Sequence, residues 1–208
     1  DINVIAHSID LKKKNINVRR HNRYRLIYIS NIDYYKNQNF IIESINDLLL
    51  KKPELKKKIK VEFYGNYYPP ALKDMKNLIK KIPNGNLLFK YFGLFPRKKI
   101  YKYKKGFNTI SLFASSCENF SVSLLESMAV GLPILCVDLQ PMKSVLGNSG
   151  FFYKHESKKS FQTQLLKMIK SQNSFKKKTS ISVAKAKIYN PTIMASKTYK
   201  FLNKISEY

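Results

Sequence analysis

From Arg25 onward the chain switches between two apolar patterns: short unbroken runs closed by a turn residue, and longer segments with apolar residues three and four positions apart. Leu26-Ile27-Tyr28-Ile29, stopped by Ser30-Asn31, predicts a first buried strand. Residues 37–50 follow, with Phe40, Ile41, Ile45, Leu48 and Leu49 at helical spacing, and Pro53 ends that helix. The alternation continues with a strand over 61–64 closed by Gly65, a helix over 72–82, a strand over 87–92 closed by Gly93, and a short basic helix over 96–104. A strand over 109–113, a helix over 121–130, and strands over 133–137 and 150–153 come next. Helices over 161–169, 175–188 and 192–205 complete the chain. Strands that are apolar on both faces need cover on both faces, which a strand–helix alternation supplies around a parallel sheet. The expected fold is therefore an open parallel α/β sheet of about six strands with helices on both faces and a helical C-terminus. It occupies 25–208, and residues 1–24 read as a linker feeding it. In such sheets ligands bind outside the carboxyl ends of the strands, so the loops after the strands are where function is sought.

Composition narrows the function classes. A chain of 208 residues with 44% hydrophobic and 13% aromatic content builds one well-formed core and is not a disordered tail. The formal charge of +26 comes almost wholly from lysine, since the arginines are Arg19, Arg20, Arg23, Arg25 and Arg97. Such an excess attracts polyanions. Two readings stand level, solvated basic faces and an anionic membrane surface. A nucleic-acid site ranks below both, because it calls for arginine mixed with aromatics on one surface. No apolar run reaches the ~18 residues of a spanning helix, and no signal-peptide pattern opens the chain. Cys117, Cys136 and the scattered His7, His21 and His155 have no metal-ligand spacing, which predicts free thiols, a reducing compartment and no metal.

The segment between the fourth and fifth strands carries the most chemistry. Ser121 suits a helix N-cap, and Leu124, Leu125, Met128 and Ala129 form a buried stripe. Gly131 suits the left-handed position past the helix end, with Pro133 barring continuation. Glu118 then lies in the loop at the strand's carboxyl end and Glu126 in the helix. Two carboxylates there flank a helix N-terminus whose free N–H groups attract an anion, an arrangement suited to a ligand with hydroxyls on both sides of a diphosphate. Residue by residue, other roles are open: Ser123 and Glu126 have capping-box spacing, and Glu118 fits a solvated loop.

Glu118 and Glu126 also form an E-x7-E motif running into Ser127-Met128-Ala129-Val130-Gly131-Leu132-Pro133-Ile134. This resembles the signature of retaining glycosyltransferase family 4, in which the second Glu begins an E-A-M-A-x-G-x-P-V run. Other segments match in the same order. The run from Ile29 to Asn37 is similar to the loop ending in a diphosphate-binding lysine followed by Gly or Asn, here Lys36-Asn37. Residues 61–65 resemble the second strand with its glycine, 147–153 the turn after the fifth strand, and 4–10 the interdomain V-I-P-N-G-V-D segment. The resemblance implies the Rossmann-like, C-terminal nucleotide-sugar-binding half of a GT-B enzyme. By it, Lys36 meets the donor diphosphate and Glu126 the ribose hydroxyls. Glu118 holds the transferred sugar, together with the amides of Asn119, Phe120 and Ser121. Asn31 joins the donor-binding set.

Two departures stand out. The family usually has Gly-Arg where this chain has Ser30-Asn31, leaving Arg97 or Lys98 as substitutes for a second cation. It also has E-G-F-G where Glu118-Asn119-Phe120-Ser121 stands, so side chains at 119 and 121 crowd the sugar's approach. The aromatics Tyr67, Tyr68, Tyr91 and Phe92 near strand ends are readable as base-stacking groups, or more simply as packing. The expected function is transfer of a sugar from a nucleotide-diphosphate sugar, such as a UDP- or GDP-hexose, to a glycan or lipid acceptor with retention of configuration. No cofactor is expected. An N-terminal acceptor domain is the implied partner, and the location is cytoplasmic, peripheral on the inner membrane face. A non-catalytic scaffold of the same fold and a basic nucleic-acid-binding module are the alternatives.

Overall fold

The computed structural model describes residues 7–9, 22–96, 100, 108–171 and 173–206. Six strands form one sheet: β1 (Tyr24–Ile29), β2 (Ile59–Tyr64), β3 (Phe89–Tyr91), β4 (Asn108–Phe113), β5 (Ile134–Val137) and β6 (Phe151–Tyr153). Their order is β3-β2-β1-β4-β5-β6, and every neighbouring pair is parallel. Leu26 in the central strand is in register with Val61 on one side and Ile110 on the other. The chain winds outward from β1 to β3, then re-enters beside β1 and winds the opposite way. That reversal lies between β1 and β4. Crevices that bind ligands open at such a switch point.

Successive strand residues face opposite sides of the sheet, which explains the unbroken apolar runs. Leu26 and Tyr28 enter the larger core with Ile110 and Leu112, whereas Ile27 and Ile29 join Val130, Leu132 and Ile100 on the other face. Helices α1 (Gln38–Lys51), α2 (Pro69–Lys81), α4 (Val122–Ala129) and α6 (Lys158–Lys170) follow their strands closely, and each buries an apolar stripe. In α1, Ile41, Ile42, Ile45, Leu48 and Leu49 are buried, each worth about 1.5–3 kcal/mol relative to exposure. Helix α4 ends in a paired-bond cap: Gly131 at φ +71° donates to the Met128 carbonyl and Leu132 to that of Ser127. Helices α7 (Asn173–Ala186) and α8 (Pro191–Ser206) finish the chain.

Two local expectations need correction. The third strand begins at Phe89 rather than at 87, because Gly85–Leu88 form a short helix, α3, started by Asn84 in the left-handed conformation. Leu87 is 61% exposed, so its place in an apolar run did not mean burial. A five-residue helix, α5 (Met142–Leu146), was not expected; its apolar residues Met142, Val145 and Leu146 fill too short a window for periodicity to register. The basic helix over 96–104, with Arg97 and Lys98, falls mostly outside the described residues, as do 1–6 and 10–21 of the linker. Within the linker Ile9 is buried, and its N–H donates to the Tyr189 carbonyl.

Candidate functional site

Two loops leave the sheet at the switch point. The one after β1 is a rigid frame around one lysine. Asp33 accepts a hydrogen bond from the Tyr34 N–H at 2.7 Å and starts a single tight turn, Tyr34–Lys36. Asn37, at φ +57°, ends that turn and launches α1. The buried Tyr28 hydroxyl donates to the Lys36 carbonyl at 2.8 Å and accepts from the Ala114 N–H at 3.2 Å, bridging β1 and β4. Burial raises the Tyr28 pKa far above the ordinary phenol value, so the hydroxyl keeps the proton it donates. Gln38 Nε2 donates to Ser30 Oγ at 3.1 Å and to the Asn31 carbonyl at 2.8 Å. Gly65, at φ +142°, closes the frame from β2: a Cβ there would run into the Ser30 carbonyl.

The loop after β4 is tied to the first through backbone. Asn37 Nδ2 donates to the Ala114 carbonyl at 2.8 Å, and the Ser116 N–H to the Tyr35 carbonyl at 2.8 Å. Ser115 Oγ donates to the Cys117 carbonyl at 2.9 Å, which tightens the turn before Glu118. Ser121 caps α4, its hydroxyl accepting from the Leu124 N–H at 3.3 Å. The Val122 and Ser123 N–H groups, in the first turn, have no intrahelical acceptor.

Lys36 and Glu118 meet where the loops converge. Lys36 Nζ lies 2.6 Å from Glu118 Oε1, with side chains only 11% and 14% exposed. The ammonium also stands 4.7 Å from the Tyr35 ring centroid. Around the pair opens a crevice of about 200 Å³ lined by Tyr28, Ser30, Asn31, Tyr35, Lys36, Phe113, Glu118 and the 120–123 segment. Of the expected site residues, Asn31, Lys36, Glu118, Phe120 and Ser121 line this space. Asn119 lies in the same loop, between Glu118 and Phe120, and Glu126 sits half-buried one turn into α4; neither is among the lining residues. Glu126 does not close a capping box with Ser123, because the cap is Ser121, two residues earlier. Phe120 is itself held: its ring centroid is 5.9 Å from His7 and 5.6 Å from Tyr189.

The sequence did not single out Tyr28, Tyr35 or Gln38, and offered Ser123 only as a capping-box partner of Glu126. Tyr28 was readable only as a strand residue, and Gln38 only as the first residue of a helix. A polar side chain directly after a left-handed Asn was the one available signal for Gln38. The four aromatics near strand ends pack on one another or on the rim: Tyr64 stacks on Phe92 at 5.1 Å, Tyr67 meets Tyr91 edge-on, and Tyr68 meets Tyr34 edge-on. None of Tyr67, Tyr68, Tyr91 and Phe92 lines the crevice. Among the described residues no group of three or more His, Cys, Asp or Glu is placed to hold a metal ion.

Comparison with known proteins extends the geometry. A family model described as glycosyl transferases group 1 matches residues 10–186. No curated protein gives a significant sequence match. Among solved structures, a pneumococcal O-GlcNAc transferase, GtfA, in complex with UDP and GlcNAc is similar over 98% of this chain and 39% of its own, at 16% identity and a TM-score of 0.74. Anabaena HepE in complex with UDP and glucose is similar over 90% of this chain and 49% of its own, at 12% identity and a TM-score of 0.73. A glycosyltransferase from Rickettsia africae reaches 0.75 at 14% identity, over 89% of this chain and 48% of its own. The chain spans half or less of the length of each. At these identities the likeness establishes the fold, an open Rossmann-like sheet of the kind found in GT-B glycosyltransferases.

Proposed function

The chain belongs to the glycosyl transferases group 1 family, and from that premise we propose that the β1–β4 crevice binds a nucleotide-diphosphate sugar as the C-terminal donor domain of a retaining, family-4-like enzyme. The observation that carries this reading is the Lys36–Glu118 pair beside the N-terminus of α4. Lys36 and the Val122 and Ser123 amides take the diphosphate. Glu118, with the amides of Asn119, Phe120 and Ser121, takes the sugar, and Glu126 the ribose hydroxyls. When the bond from the sugar to the diphosphate breaks, its electron pair leaves on phosphate oxygen. A fixed ammonium and aligned N–H groups stabilise that charge without reorganising. The UDP held by solved neighbours favours a UDP-sugar. The acceptor, a glycan or lipid, comes from the opposite side of the crevice, and an N-terminal domain presents it.

Glu118 is the partner of Lys36 in the crevice. Donor binding exchanges partners: phosphate oxygens replace the carboxylate on Lys36, and sugar hydroxyls replace the ammonium on Glu118. Calorimetric titration with UDP, UDP-glucose and UDP-N-acetylglucosamine tests the reading. Saturable binding of at least one is expected, and a folded chain that binds none of them, nor a GDP-sugar, sinks it. Glu126→Ala should weaken UDP binding roughly fivefold to tenfold, the loss of one or two hydrogen bonds; an unchanged affinity removes the ribose role.

A further inference from the structure

The loop segment given to the sugar in the donor reading faces a structural difficulty: N–H groups kept for a ligand cannot also fix the backbone that carries them. Before Glu118, Ser115 and Ser116 donate to the Tyr35 carbonyl, and after it Ser121 is tied into the α4 cap. Between Glu118 and that cap stands Phe120, the one aromatic residue from Ser115 to Ser121. Its ring is half-buried and packs against the larger core, with the ring centroids of His7 at 5.9 Å and Tyr189 at 5.6 Å. Both distances fall within the roughly 4.5–7 Å over which aromatic rings attract. A side chain thus does the holding that the backbone of this segment cannot do.

The two rings that hold Phe120 are far apart in sequence and joined to each other. His7 precedes β1, and Tyr189 closes the tight turn Lys187–Tyr189 that follows α7. The Ile9 N–H donates to the Tyr189 carbonyl at 2.9 Å, and Ile9 is itself buried. Helix α7 packs along α4, where a Cβ on Gly131 would meet Val183 at 3.2 Å, and Ala186 at its end is fully buried. Tyr189 therefore stands on a fixed base. We infer that Tyr189 and His7 are positioning residues for the transferred sugar. By holding the Phe120 ring they set the backbone of residues 118–121, and with it the affinity that a sugar adds to a nucleoside diphosphate. Amides that must be ordered at the moment of binding give up part of that affinity. The diphosphate does not depend on this brace: Lys36 is fixed from β1 through Tyr28 and Gln38, and the Val122 and Ser123 amides belong to α4. The inference rests on the donor reading for what the segment binds, and on the ring contacts for how it is held.

Two measurements on the full chain test this: NMR amide order parameters without ligand, and calorimetry with UDP, UDP-glucose and UDP-N-acetylglucosamine. In the parent, residues 118–121 should be as ordered as the helices, at about 0.85. Tyr189→Ala should drop them below about 0.6 while 28–38 stay at the parent value. Tyr189→Phe should match the parent, since ring and carbonyl both remain. His7→Ala should act in the same direction but less, and its exposed position keeps the comparison open if Tyr189→Ala does not fold. For whichever UDP-sugar the parent binds, Tyr189→Ala should lower its affinity relative to UDP roughly fivefold, with UDP itself within about twofold of the parent. A tyrosine that only filled space would weaken both ligands alike. The inference is overturned by a parent segment already mobile, by order parameters at 118–121 unmoved in both Ala variants, or by a loss spread equally to 28–38. Equal weakening of UDP and the UDP-sugar overturns it too. A parent that binds neither UDP-sugar defeats the donor reading instead, and the order parameters then decide the brace by themselves.

Discussion

The two walls of the crevice are built on different principles. The wall after β1 is over-determined: a capped turn, the Tyr28 hydroxyl, the Gln38 amide and the missing Cβ of Gly65 all fix the backbone around Lys36. The wall after β4, Ser115 to Ser121, is mostly small and polar residues around Phe120, held by bonds from Ser115 and Ser116 to the Tyr35 carbonyl, by the packing of Phe120 on His7 and Tyr189, and by the α4 cap. The cation is therefore placed by structure, whereas Glu118 is placed largely by the cation it pairs with. A lysine stem has four rotatable bonds, so fixing its backbone and burying its chain lowers the entropy lost when phosphate arrives. A short loop bearing a carboxylate can yield that cation and turn to hydroxyls.

The largest effect that would break this contrast is at Gly65. Gly65→Ala combines a positive φ with a backbone collision and should destabilise the fold by about 3 kcal/mol or more, read from urea unfolding. A loss under about 1 kcal/mol would mean the β1 wall yields easily. Next is Lys36→Met, which should weaken UDP binding roughly tenfold to a hundredfold, the range for a charge-assisted hydrogen bond. Glu118→Gln should act in the opposite sense on UDP, tightening it about threefold by releasing Lys36, while eroding the added affinity of a UDP-sugar. If UDP binding falls in both variants, the partner exchange is wrong. Tyr28→Phe should cost about 1–2 kcal/mol in stability, because it strands the Ala114 N–H and the Lys36 carbonyl in a buried place. It should also slacken UDP affinity, which a purely structural tyrosine would not do. At the cap of the other wall, Ser121→Ala should cost about 1 kcal/mol and Ser121→Gly, the smallest effect, only a few tenths, both by thermal melting.

Much of this was legible in the sequence, for identifiable reasons. Strand existence followed from short apolar runs, because burial on both faces leaves no alternation to misread; β5 is such a run throughout and β1 from Leu26 to Ile29, whereas β4 carries the buried polar Thr109 and Ser111 among its apolar residues. The ends of α4 were legible because Ser121 and Gly131 each solve a specific backbone problem, an orphan N–H and a left-handed turn. Lys36 was found by its position after the first strand, not by its charge, in a chain crowded with lysine. What stayed hidden depends on contacts distant in sequence. Tyr28 matters through Ala114, and Gly65 through Ser30; no local pattern encodes either. The start of β3 was misplaced because Leu87 and Leu88 extend an apolar run that a helical turn interrupts. Crowding by Asn119 and Ser121 was anticipated from residue size, yet the Ser121 hydroxyl is turned into the helix cap rather than left free in the crevice.

The reversal of winding between β1 and β4 carries a genealogical implication. Residues 22–96 furnish the ammonium side and residues 108–206 the carboxylate side, each as one contiguous stretch. A single recombination event between them exchanges one side whole. Lineages carrying this architecture thus have a route to new pairings of the two halves, limited by the seam they share, where β1 pairs with β4 and Lys158 with Glu43 and Asp47.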